Sequence, residues 1–208
     1  MVKYQLDSFF KLALRARRRR GAQTRKADIM FISLLEKRRS IRRYLEKPVP
    51  PEMVDLLIEA ALRSPSSMGA KPWEFIIVKD RSVLDTLSKA KSHGATFLKN
   101  APLGIVVCAD PEKSTVWIED ASIASILIHL AAESNGLGSC WVQMRDRMHS
   151  PEMTSEAYIS KVLNIPERIR VEAIIAVGYP ADKKTGHSRE ELQYEKVYFG
   201  TYGKPYRP

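Results

Sequence analysis

The sequence predicts an α+β domain, a central sheet flanked by helices, preceded by a basic arm. Three observations carry this. Helical and strand-like patterns interleave from residue 30 onward. The segments "WEFIIVKD", "LGIVVCAD" and "VEAIIAVGYP" are short continuous apolar runs, the pattern of buried strands. Between the second and third strands lies one long segment, residues 117–135, apolar around most of a helical circumference.

Each element has a local reason. Residues 30–37 fit a short helix. "PVPP" forces an extended turn, and Pro51 suits a first helical position. Over 51–63, Met53, Leu56, Leu57, Ala60 and Ala61 recur at helical spacing. "RSPSSMGAKP" crowds Pro, Ser and Gly and reads as a loop before the strand at Trp73. Residues 82–91 are a helix candidate. In 117–135 the stripe is Ile123, Ile126, Leu127, Leu130 and Ala131, widened by Ala124, Ile128 and Ala132, with Gly136 as the cap. Such a helix belongs in a protein's centre or against a partner. "GSCWVQM" is a further strand, and "SEAYISKVLN" a helix stopped before Pro166. The tail "YEKVYFGTYGKPYRP" is aromatic, with little period of its own, and is expected to lie across another surface.

Composition excludes several classes. Two hundred and eight residues suit one generous domain. No apolar run approaches a membrane span, and no secretory h-region follows Lys3. Cys108 and Cys140 form no CxxC pair and read as reduced thiols of a cytoplasmic protein. The four histidines lack ligand spacing, so no metal is expected. The net charge of +10 is unevenly placed: residues 1–29 hold nine Lys or Arg against two Asp, a net +7 that leaves +3 for the other 179. The domain is therefore assigned to 30–208 and the arm is set outside it. The arm has four open readings: an amphipathic helix, a disordered segment, a transit peptide, or residues upstream of a true start at Met30. Nucleic acid is disfavoured as a partner, because most of the positive charge lies outside the domain.

Three constellations could carry chemistry. In "EKRRSIRRYLEKPVPPEM", Arg38, Arg39, Arg42 and Arg43 surround Ser40. In an extended segment Arg38, Ser40 and Arg42 share a face while Ile41 turns inward, and guanidinium forks suit a phosphomonoester. Spacing alone favours solvated arginines, since charge runs are usually solvated. "SPSSMGAKPW" would let backbone donors approach a ligand. "GLGSCWVQ" could line a flat aromatic ligand. Each of these is also an ordinary connection or core strand. No GxSxG elbow or correctly placed dinucleotide fingerprint occurs.

Taken together, "RRSIRRYLEKPVPPEMVDLLIEAALRSPSSMGAKPWEFIIV", "IEDASIASILIHLAAESNGLGSCWV", "AIIAVGYP" and "YEKVYFGTYG" resemble, in order, the segments of the FMN-dependent nitroreductase family, over about residues 30–203. The resemblance implies a mostly antiparallel sheet and a C-terminal arm extending to a second subunit of a homodimer, with FMN at the interface. It implies that Arg38, Arg39, Ser40 and Arg42 bind the phosphate side, joined by Lys184 and His187. Pro65, Ser66, Ser67 and Gly69 would touch the flavin of the other subunit. Cys140, Trp141, Val142 and Gln143 would lie along the isoalloxazine. It further implies a ping-pong cycle in which NADH or NADPH reduces the flavin at N5 and a nitroaromatic, quinone or similar small oxidant removes the electrons, with no catalytic side chain required.

The chain departs from the family pattern at Gly69, Lys71 and Leu127, where members often carry Asn, Gln and Asn. Relatives with the same fold remove halogens, oxidise rings or consume their flavin, which are the alternative chemistries. A non-catalytic binder of nucleic acid or an acidic surface, through the arm, is the alternative of another class.

Overall fold

The computed structural model describes residues 30–206, so the basic arm 1–29 lies outside the described residues. In chain order the helices and strands are α1 (30–37), α2 (Pro51–Leu62), β1 (Trp73–Val78), α3 (Arg81–Leu87), β2 (Leu103–Ala109), α4 (Trp117–Ser134), β3 (Gly138–Gln143), β4 (Met148–Ser150), β5 (Met153–Thr154), α5 (Ser155–Leu163) and β6 (Arg170–Gly178). Two compact units are distinguished: residues 38–185, and a smaller unit drawn from the chain before and after them.

In the larger unit the sheet order is β1–β2–β6–β3, and every pairing is antiparallel. Ile105 and Trp141 both stand opposite Ile175, so β6 is paired on both edges. Side chains of successive strand residues point to opposite faces, and both faces are covered. On one face, Ile105, Val107, Ile175 and Val177 pack with Val54, Leu57 and Ala61 of α2 and with Ala121, Ile128 and Ala132 of α4. On the other, Val106, Val142, Ile174 and Ala176 pack with Leu84 and Leu87 of α3 and Ile159 of α5. The strands therefore read as unbroken apolar runs.

Caps set the helix ends. Asp80 accepts from the Ser82 and Val83 amides and starts α3, which stops at Leu87, short of the expected 91. Thr154 caps α5 through the Ala157 amide, and Asn164 ends it in a left-handed conformation. After α4, Gly136 at φ +71° donates to Glu133 and Leu137 donates to Ala132, as expected of a glycine cap.

The face of α4 differs from the expected stripe. Its buried residues are Asp120, Ala121, Ala124, Ser125, Ile128, His129 and Ala132, mostly small side chains that bring the helix close to the sheet. Ile123 and Ile126 are 39% and 42% exposed. A helix apolar on most sides must leave some of that surface outside when only one side meets the sheet.

The smaller unit contains α1 and the residues from Gly186. The His187 amide donates to the Glu36 carbonyl at 2.9 Å. Tyr198 pairs with Pro205, and the Tyr198 and Tyr202 ring centroids lie 4.5 Å apart. Phe199, Tyr202 and Tyr206 are exposed.

Gly138 is required for a close contact at the sheet edge. A Cβ on Gly138 would stand 2.7 Å from Cβ of Ile41, whose own backbone donates to Ser139 O at 3.0 Å. Gly138→Ala is expected to cost about 1–3 kcal/mol by overpacking, read as a lower urea midpoint. An unchanged midpoint would show that Ile41 is not held there.

Candidate functional site

The segment 38–44 is stitched to the edge of β3. Ser40 forms a parallel bridge with Ser139, and Tyr44 Oη donates to Ile41 O at 2.6 Å and to Ala176 O at 3.3 Å. Ile41, 6% exposed, and Tyr44 point into the core. Extended backbone then turns Arg42 and Arg43 outward, with Arg38, Arg39 and Ser40 half-buried. Arg42 lies over the Phe97 ring, 5.9 Å from its centroid. Lys184 Nζ donates to Ser40 O at 2.8 Å, and Arg39 donates to the Thr185 carbonyl. Lys184, far from them in sequence, thus joins Ser40 and Arg42 at one edge. Among the described residues, none of Arg38, Arg42 and Lys184 makes an ion pair with a carboxylate. A donor set that is cationic, hydroxyl-bearing and without an acid of its own fits the phosphomonoester of FMN. His187 belongs to the smaller unit, where its Nδ1 lies 2.8 Å from Glu191.

Along β3 the predicted residues divide. The Cys140 and Val142 side chains are buried in the core, so only their backbone is available to a ligand. Trp141 and Gln143 point to the α4 face and are half-buried. Trp141 Nε1 donates to Gln143 Oε1 at 2.8 Å, and Gln143 Nε2 donates to Arg145 O at 3.0 Å. The Gln143 amide is thereby fixed at both ends. Beside it, burial raises the pKa of Glu172, and Arg145 at 2.9 Å opposes that shift.

The loop carrying Pro65, Ser66, Ser67 and Gly69 is strained. Met68, Gly69 and Lys71 have φ of 50°, 69° and 48°. Left-handed backbone costs about 1–2 kcal/mol at each non-glycine position. The loop is held by a residue that pattern reading missed. Asp120, 2% exposed, accepts from the Ser67 amide at 2.8 Å and from Ser114 Oγ at 2.8 Å. In sequence Asp120 is only an acid in the first turn of a helix.

A second missed residue is His129 of α4, 6% exposed, whose Nδ1 lies 2.7 Å from Ser139 Oγ. Burial, and then the Arg38 guanidinium, push its pKa down to about 4. Ser139 therefore joins α4 by its side chain and the arginine segment by its backbone.

The Nitroreductase family model matches residues 35–98 and 88–179. An FMN-dependent nitroreductase from Clostridium difficile superposes with a TM-score of 0.81 at 46% identity, covering 82% of this chain and 99% of that one. A protein of Methanothermobacter thermautotrophicus, described provisionally as an NADH dehydrogenase/NAD(P)H nitroreductase, is 36% identical over 163 residues, 76% of this chain and 80% of its own. The FMN reductase [NAD(P)H] of Bacillus subtilis is 27% identical over 191 residues, 80% of this chain and 74% of its own. The fold is thus shared with enzymes built to work on flavins. The chain belongs to the nitroreductase family.

Two outcomes are expected from the missed residues. Asp120→Ala leaves a buried amide and hydroxyl without their acceptor and should destabilise by about 1–3 kcal/mol, with faster hydrogen exchange at Ser67. Asp120→Asn, which keeps one acceptor oxygen, should recover much of the exchange protection. For His129, the folded protein binds the proton less readily than the unfolded chain. Stability should therefore fall as pH drops from 6.5 towards about 4. Urea midpoints across that interval should slope less in His129→Gln.

Proposed function

We infer that this chain is an FMN-dependent oxidoreductase that draws on NADH or NADPH and passes electrons to a small oxidant such as a nitroaromatic or quinone. The observation that carries the reading is the convergence of Ser40, Arg42 and Lys184 at the β3 edge, uncompensated by any carboxylate ion pair among the described residues. Family membership supplies the cofactor class. FMN held there would supply the redox chemistry, carrying hydride equivalents from the nicotinamide to the oxidant.

The chain's own residues position rather than react. Ser40, Arg42 and Lys184 hold the phosphate, and Arg38 adds positive potential at the same segment. The backbone of Cys140–Gln143 forms a wall whose polar side chain is already fixed. The loop from Pro65 to Gly69 reaches the cofactor of a second copy, and the sites lie at the interface of a homodimer. The exposed apolar surface of α4 and the aromatic tail support that assembly, since a single subunit leaves Ile123, Ile126, Phe199 and Tyr202 in water.

The test is the visible spectrum of the purified protein, with the released chromophore identified by mass. Bound FMN that bleaches with NADH or NADPH and recovers in air is the expected result. Colourless protein that also refuses added FMN overturns the reading. Arg38→Ala should raise the FMN Kd about tenfold, the scale of one charge-assisted contact. Undiminished affinity would remove Arg38 from cofactor binding.

A further inference from the structure

A separate cavity opens at the end of the sheet where β1 finishes and β2 begins. Val78 stands opposite Gly104 and Leu103 opposite Val177, so the chain after β1, before β2 and after β6 comes side by side. The Leu45 amide donates to the Tyr179 carbonyl at 2.9 Å and brings residues 45–48 alongside. The cavity between these segments measures about 280 Å³. Its base is fixed. Ala101 is 1% exposed, and a Cβ on Gly178 would stand 2.5 Å from Pro102, so closely is that proline seated.

The charged lining is Glu46, Lys47, Lys79 and Arg81. Arg81 is held by Glu46 at 3.2 Å. Lys47 Nζ lies 4.0 Å from the Tyr179 ring centroid. Among the described residues neither Lys47 nor Lys79 pairs with a carboxylate. Three cations against one acid leave a formal surplus of two positive charges. Folding brings these cations from separate segments into one concavity, where like charges oppose one another until an anion enters. The walls add what a bare charged patch lacks. Leu45, 48% exposed, shares the opening with Pro48 and Pro102, and proline walls lose little freedom when a ligand settles on them.

We propose that this cavity is a second ligand site, taking a small organic phosphate whose dianionic head meets Lys47 and Lys79 and whose carbon skeleton lies against Pro48 and Pro102. The surplus of two charges matches a dianion, whereas a monocarboxylate would leave one cation uncompensated. Asn100, also in the lining, supplies an amide donor for a remaining oxygen. Arg81, occupied by Glu46, shapes the rim. The site shares no residue with the β3 edge and does not depend on the flavin reading.

The experiment is calorimetric titration of FMN-saturated protein with phenyl phosphate, and with benzoate, which carries the same ring and a single charge. Saturation keeps the β3 edge filled. One equivalent of phenyl phosphate should bind, about tenfold or more tighter than benzoate. The double variant Lys47→Gln/Lys79→Gln should lose most of that affinity while keeping the wild-type Tm and FMN Kd. The corresponding double arginine variant, which keeps both charges, should retain it.

Wild-type protein that takes up no phenyl phosphate overturns the proposal. So does equal affinity for benzoate, or affinity that survives in the glutamine variant. Binding that Arg42→Ala abolishes and the glutamine variant keeps would return the phosphate to the β3 edge, and also overturns it. Protein that refuses FMN yet binds phenyl phosphate through Lys47 and Lys79 would sink the flavin reading and leave this site standing.

Discussion

The seating of Ile41 against Gly138 is the contact on which the site depends. Strand alternation gives the sequence Arg-Ser-Ile-Arg one way to bury its apolar residue, and doing so aims Arg42 away from the core. The contact is close because position 138 has no Cβ. It is pinned on both sides of Ile41, by its own amide on Ser139 O and by Tyr44 reaching Ile41 O and Ala176 O. Three bonds and one missing methyl therefore fix an otherwise floppy arginine-rich segment. Removing rotational freedom from the carrier of a binding group before the ligand arrives is what preorganisation means in energetic terms.

That segment also explains which parts of the molecule were legible beforehand. The strands β1, β2, β3 and β6 were readable because an apolar run between turn residues is a local signal, and the antiparallel pairing followed from the family resemblance. The inward turn of Ile41 was readable from alternation alone. Gly138 was readable as small but not as the socket for Ile41, since its reason lies nearly a hundred residues upstream. The central helix misled for a related reason. Its largest side chains suggested the buried stripe, whereas packing on a sheet selects the small ones, Ala121, Ala124 and Ala132. Asp120 and His129 were invisible because each acquires meaning from a partner that only tertiary structure supplies, Ser67 and Ser139.

Charge is distributed with a clear contrast. Several cations of the larger unit meet acids: Arg63 with Glu59, Lys89 with Asp85, Arg145 with Glu172, Arg168 with Asp110 and Arg170 with Glu156. Exposed pairs of this kind contribute little to stability individually. Their use lies in leaving no strong local field. At the β3 edge Arg38, Arg42 and Lys184 have no such partner among the described residues. The +3 net charge of residues 30–208 is thus less informative than its placement. The overall count describes an almost neutral body, yet that body gathers Arg38, Arg42 and Lys184 beside Ser40, and it is this local grouping that the proposed FMN phosphate site uses.

The strained loop shows the same logic applied to backbone. Met68 and Lys71 occupy left-handed conformations that each oppose folding, and Met68 is fully exposed, so no buried apolar contact offsets its strain. A free surface loop would relax. This one is kept tense by a buried carboxylate from α4 and by Ser66 Oγ accepting the Lys71 amide at 2.9 Å. Holding a loop in an unfavourable shape with a buried anchor makes sense where its outer surface must keep a particular form for something beyond the chain. In the proposed dimer that something is the second copy's flavin. Asp120 ties the loop to α4, and Ser139 links α4 through His129 to the arginine segment. The central helix is therefore bonded both to the loop and, through Ser139, to the arginine segment, the two parts of the proposed binding apparatus. One rigid element setting both would keep the two sites of a symmetric pair in matched geometry without any residue having to cross between them.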